Sequence, residues 1–166
     1  MAIIDFDDLD EVTYNGTDIE TIVYNGATVW EKPAPTPSGT IWMVGYRTSG
    51  TSQASNIIGI AQAQIGKPYA YGAAGPAAFD NPGLVYYVYG RAGISIGRTM
   101  NQIISRAPQR GGVSTLYPSC IFWVDPSGAQ NPSIGTIGIY LGSNAGVICL
   151  QGQGVILVND IFSLLG

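Results

Sequence analysis

The stretch "AAFDNPGLVYYVYG", residues 77–90, decides how this chain folds. It runs from small residues into a segment whose apolar positions, Leu84, Val85 and Val88, recur at helical spacing. Asn81 reads as the N-cap, its side chain accepting a hydrogen bond from an otherwise orphan N–H. Pro82 then takes the first helical position, where its missing N–H costs nothing. Gly90 or Gly93 ends the helix. A helix N-terminus behind a glycine-rich loop is a place where a side chain can be activated, yet neither Asn81 nor Pro82 is a reactive group.

On the N-terminal side, "SQASNIIGIAQAQIGKP", residues 52–68, predicts a helix. Ile57, Ile58, Ala61 and Ile65 form its apolar stripe, Ser52 or Ser55 caps it, and Gly66 and Pro68 stop it. "TIWMVGY", residues 40–46, is a strand or an approach segment, and a short third helix spans 99–105. Beyond it lie "CIFWV" (120–124), "TIGIYLG" (136–142), "GVICLQ" (146–151) and "GVILV" (154–158). These are short apolar runs divided by turn residues, and they read as strands. Helices first and an antiparallel sheet after predict an α+β fold.

Upstream, "VTYNGTDI" and "IVYNGATVW" repeat one pattern, with Tyr14 and Tyr24 at matching positions. Asn15-Gly16 and Asn25-Gly26 are strong hairpin signals, because both residue types tolerate positive φ. Residues 1–32 therefore read as an acidic lead-in with a small β-hairpin module, 33–39 as a stiff proline-rich linker, and 40–166 as the main domain. Two hairpins alone are marginal in water. Tyr14, Tyr24 and Trp30 are accordingly expected to pack against the main domain or a partner chain.

The chain has 166 residues, 46% of them hydrophobic and only 11% charged. Charge is unevenly placed. Asp5, Asp7, Asp8, Asp10, Glu11, Asp18 and Glu20 fall in the first twenty residues, which hold no base. From residue 33 onward the bases Arg47, Lys67, Arg91, Arg98, Arg106 and Arg110 outnumber the acids Asp80, Asp125 and Asp160. The bases are scattered and make no patch beside aromatics, so nucleic acid is not an expected partner. No apolar run is long enough to span a membrane, and the acidic start does not resemble a secretory signal.

Chemistry is scarce. There is no histidine, which removes Ser-His and Cys-His arrangements and makes a metal site unexpected. No phosphate-binding glycine loop is present, and no cofactor is expected. Cys120 and Cys149 fit no metal spacing and read as two buried thiols in preference to a bridge. Cys149 has a second reading as a relocated nucleophile, though no base accompanies it in sequence.

Three segments carry a resemblance. "IGKPYAYGAAGPAAFDNPGLVYYVYGRAGISIGRTMNQ" (65–102), "LYPSCIFW" (116–123) and "TIGIYLGSNAGVICLQGQGV" (136–155) occur in the order of the NlpC/P60 family, the papain-like peptidases that cut bacterial cell-wall peptides. That family typically reads "PYxYGG…FDCSGLVxYVY…LPRTSxxQ", and the likeness implies its papain-like fold. It also implies positions for the machinery. The cysteine nucleophile falls on Asn81, the following serine on Pro82, and the histidine base on Thr136. The polar residue that orients the base falls on Cys149 once one residue is inserted in the preceding turn. The family's Gly-Asp pair falls on Ser119-Cys120. Tyr69 alone keeps its family identity, as a ring near the oxyanion. The resemblance thus implies a fold without its catalytic groups, a pseudoenzyme.

The tyrosine-rich neighbourhood of Tyr69, Tyr71 and Trp123 is the expected binding groove. The doubled "YNG" segment and proline-rich linker also resemble short modules of bacteriophage tail and other structural proteins. The expectation is a catalytically inactive structural protein of a bacteriophage particle, located in the virion and partnered by other virion proteins or by copies of itself. The alternative is a peptidoglycan-binding or residually active wall peptidase relative.

Overall fold

The computed structural model describes the strand segments 13–14, 17–18, 21–24 and 27–31, together with residues 39–46 and 50–166. The chain divides into two units, Met1–Thr36 and Pro37–Gly166. In the first, β1 (Thr13–Tyr14) pairs antiparallel with β2 (Thr17–Asp18), and β3 (Thr21–Tyr24) with β4 (Ala27–Glu31). In sequence, one Asn-Gly dipeptide separates the two strands of each pair. The Tyr14, Tyr24 and Trp30 side chains, and most of the acidic lead-in and linker, lie outside the described residues.

The second unit is α+β. Its strand β5 (Thr40–Gly45) is followed by α1 (Thr51–Gln62), α2 (Asn81–Arg91) and α3 (Met100–Arg106). Then come β6 (Gln109–Gly112), β7 (Ile121–Asp125), β8 (Thr136–Gly142), β9 (Ala145–Leu150) and β10 (Gly154–Val158). They form one six-stranded sheet in the order β10-β9-β8-β7-β5-β6, and every pairing in it is antiparallel. The edge strand β6, "QRGG", carries no apolar alternation, so no strand is readable there from the residues alone.

Both faces of the sheet are buried. Ile121, Trp123, Ile137, Ile139, Val147 and Cys149 face the helices, where Leu84, Val85, Val88 and Tyr89 of α2 and Ile57 and Ala61 of α1 meet them. Cys120, Phe122, Val124, Tyr140 and Ile148 face the other side, covered by Ile161 and its C-terminal neighbours. The partition is the two-residue alternation of a strand, written entirely in buried residues.

The expectations for α1 need two corrections. No side chain caps α1; Gly50 occupies its N-cap, so neither Ser52 nor Ser55 does so. Ile65 lies past the end of α1 and is exposed, because the helix stops at Gln62 and the apolar stripe ends with it. The start of α2 differs from expectation in a way that shapes the site.

Candidate functional site

The loop before α2 folds around Phe79, which is fully buried. Phe79 bridges both Tyr69 and Ala74, its N–H donates to Pro68 O, and its carbonyl accepts from Ala70 N–H. Asp80 N–H donates to Ala73 O at 2.8 Å. This places Asp80, with extended backbone at φ −93°, as the N-cap of α2. Its Oδ1 accepts from Gly83 N–H at 2.6 Å. Asn81 is therefore not the cap, and Pro82 is the second helical residue. Gly83 has no alternative here, since a Cβ would collide with the carbonyl of Ala73.

Asp80 also anchors the loop. Arg98 donates from Nη2 to Oδ2 at 2.8 Å and from Nη1 to Oδ1 at 3.1 Å, a bidentate ion pair. Gly72 N–H adds a bond to Oδ2 at 3.1 Å, and Arg98 Nη2 reaches back to Gly72 O at 2.9 Å. Arg98 is held in turn just ahead of α3, where Thr99 and Gln102 form a reciprocal capping box. Sequence reasoning assigned no role to Asp80 or Arg98. The signal available was an acid on one helix start and a base just before another.

Released from capping, the Asn81 side chain crosses to the sheet. Nδ2 donates to Ile137 O at 2.8 Å and to Cys149 O at 3.0 Å, and Oδ1 accepts from Ile137 N–H at 2.9 Å. The β8–β9 pairing starts at Gly138–Ile148, and Ile137 and Cys149 come next in that register. The carboxamide thus continues the ladder where the strands part: its oxygen accepts one bond and its NH2 donates two, one more than a peptide N–H offers.

Asn81, Ile137 with its neighbour Thr136, and Cys149 are therefore brought together, so the three positions implied by the resemblance converge. Thr136 opens β8 opposite Val124 and is half-buried. Its hydroxyl is not a base near neutral pH. Cys149 is fully buried, with Sγ 3.3 Å from Phe79 O as donor. Burial, and then the nearby Asp80 charge, push its thiol up to about 11. Burial likewise pushes Cys120 to about 11. The two thiols face opposite sides of the sheet and are both free.

A cleft of about 440 Å³ opens over the start of α2, lined by Tyr69, Tyr71, Asp80, Asn81, Arg98 and Thr99. Tyr71 stands at its lip, 94% exposed. Trp123 is not part of it, contrary to expectation. It is 1% exposed, packed in the helix-side core, with Nε1 donating to Ile134 O at 3.1 Å. A strand residue buried on a two-sided sheet has no route to a groove. Among the described residues no cluster of His, Cys, Asp or Glu could hold a metal ion, and no helix is long and apolar enough to cross a membrane.

A sequence model described as the NlpC/P60 family matches residues 66–159, more than half of the chain. A probable endopeptidase p60 of Listeria monocytogenes is 35% identical over 99 residues, which cover 60% of this chain and 19% of that protein. A probable endopeptidase of Corynebacterium glutamicum is 47% identical over 69 residues, covering 42% of this chain and 30% of the relative. The matched part thus spans well under half the length of these relatives. Among solved structures, the NlpC/p60 domain of peptidoglycan hydrolase SagA aligns with a TM-score of 0.54 at 26% identity, covering 63% of this chain and 87% of that one. RipD of Mycobacterium tuberculosis, described as a non-catalytic NlpC/p60 domain protein with adaptation to peptidoglycan-binding function, aligns with a TM-score of 0.53 at 20% identity. That alignment covers 68% of this chain and 88% of RipD.

Proposed function

The chain belongs to the NlpC/P60 family, and from that premise we propose that its domain acts by binding and does not hydrolyse wall peptides. One observation carries this reading: the side chain at the nucleophile position is a carboxamide with its donors and acceptor spent on Ile137 and Cys149. An amide so engaged is neither nucleophile nor base, and Thr136 beside it cannot take a proton. Cys149 is no substitute, since its thiol is buried and held in the neutral form. The test is incubation of pure protein with purified wall peptides. No release is expected, and turnover that a thiol blocker abolishes overturns the reading.

We assign the binding role to assembly within a bacteriophage particle, in company with other virion proteins or copies of this chain. What supports this is the pair of Asn-Gly hairpins, too small to stand alone, followed by the proline-rich linker. Deleting residues 1–32 is expected to abolish incorporation into particles or the native oligomer. Unchanged incorporation rejects the assignment.

A second reading is favoured by the cleft. Its tyrosine-lined walls survive beside the Asp80–Arg98 pair, and aromatic rings give affinity without chemistry. RipD, described as a non-catalytic domain adapted to peptidoglycan binding, is a protein of this fold in such a role. Co-sedimentation with purified sacculi, weakened by Tyr69→Ala, supports this reading; no co-sedimentation removes it.

A further inference from the structure

A second groove, of about 450 Å³, lies on the C-terminal half of α2 and the segment that follows it. The cleft described above sits at the N-terminal end of this 11-residue helix and shares no lining residue with the groove. The groove is walled by the rings of Tyr86 and Tyr87 and by Ile94 and Ile96, with Arg91 and Ser95 at its rim.

Three features mark it as a place for a ligand. The first is Gly90. It is the penultimate residue of α2, exposed, and nothing lies within 4 Å of where a Cβ would be. No internal close approach explains it here, and its effect is to leave that part of the groove lining without a side chain. The second is charge. Arg91 has no acidic partner among the described residues, and the acids of this unit are committed elsewhere. Asp80 holds Arg98, Asp125 accepts three bonds within its own turn, and Asp160 caps the last 3-10 turn. The third is the mixture of surfaces. The hydroxyls of Tyr86, Tyr87 and Ser95 bond to no described protein group, beside apolar ring faces and isoleucine side chains.

We propose that this groove binds a uronic acid, a pyranose carrying a carboxylate on the ring. A pyranose presents an apolar C–H face to an aromatic ring and hydroxyls at its edge, which matches the tyrosines and Ser95. Its carboxylate lies within the same small volume and meets the Arg91 guanidinium, whose planar fork suits a carboxylate. The missing side chain at Gly90 leaves room for the chair of the ring. The expected source is an acidic polysaccharide, whose chain continues out of the open groove on either side. The site shares no residue with the cleft beside Asn81, so it stands or falls independently of wall-peptide binding.

The full chain, labelled with nitrogen-15, is titrated with glucuronic acid while backbone amide shifts are followed. Saturable shifts at residues 86–96 are expected, with at least a tenfold weaker response to glucose. Arg91→Gln is expected to weaken glucuronic acid binding at least tenfold. Gly90→Leu is expected to abolish it while raising the melting temperature, because the added side chain meets open space and improves helix propensity. Loss of binding together with a raised melting temperature separates a filled groove from a damaged fold. No shift at 86–96, equal binding of glucose, stronger binding of benzoate or N-acetylmuramic acid than of glucuronic acid, or unimpaired binding by Gly90→Leu each overturns the proposal.

Discussion

Asn81 and Ile137 exchange a reciprocal pair of hydrogen bonds: Nδ2 of the first donates to the carbonyl of the second at 2.8 Å, and the amide of the second donates to Oδ1 of the first at 2.9 Å. This geometry fastens the N-terminus of α2 to the start of β8. A thiol of similar reach offers one weak donor and one weak acceptor, so it cannot make the same tie.

Asn81→Ala is expected to destabilise the protein by about 2–3 kcal/mol, since two backbone groups of Ile137 and the Cys149 carbonyl lose their partner. Half-burial of the site lets water recover part of the loss. Urea denaturation measures this. Asn81→Cys is expected to lose a similar amount and to show no peptidase turnover, because no base accompanies the new thiol. A value near zero for Asn81→Ala removes the structural tie as an account of this residue.

Arg98→Ala leaves Asp80 mostly buried with only its backbone donors. The Arg98 side chain is 33% exposed, which discounts the ion pair, so a loss of about 1–2 kcal/mol is expected. Asp80→Asn keeps an N-cap acceptor for Gly83 and is expected to cost less than Asp80→Ala. Thermal melts of the three variants give the order.

Ser119 sits at φ +81° with its hydroxyl buried and without a partner. Ser119→Gly relieves the left-handed strain and removes an unsatisfied donor, against a larger backbone entropy in the unfolded chain. A net gain of about 1 kcal/mol is expected. A drop in melting temperature contradicts this account.

Asp125 gives the acid limb of stability. Burial alone works against its charge, but bonds from Ser127 Oγ, Gln130 N–H and Ser127 N–H outweigh it and hold the carboxyl below its ordinary value of 3.8. A carboxyl lowered on folding contributes stability that is complete above its unfolded value and lost as pH falls through the folded one. Melting temperature is therefore expected to be flat above about pH 5 from this group and to fall below about pH 4. Asp125→Asn is expected to be less stable at neutral pH and to flatten that acid fall.

Both thiols are expected to be silent in the native state. Each is buried, each is pushed up to about 11, and they lie on opposite faces of the sheet. A chromogenic disulfide reagent is expected to read both only after unfolding, and oxidant is expected to leave no internal bridge. Rapid native labelling of Cys149 contradicts its burial.

Much of this was legible beforehand because it is local. Apolar spacing located α2, Asn-Gly pairs located the hairpins, and alternating apolar and turn residues located β7 to β10. The order of motifs placed the chain in its family. Strand β6 escaped notice because its residues bury little and so leave no pattern.

The amino-acid sequence by itself determined most of the helices and strands, the family, and the absence of any histidine. Tertiary structure alone decided how Asn81 is held. A one-residue shift of the helix start made Asp80 the cap and sent Asn81 across to β8 and β9. Whether Trp123 faces groove or core depended on the phase of a strand buried on both sides, where no polar residue marks the outer face. Local pattern reports burial averaged over an element, whereas the partner of a given side chain depends on elements that meet it from 18 to 70 residues away.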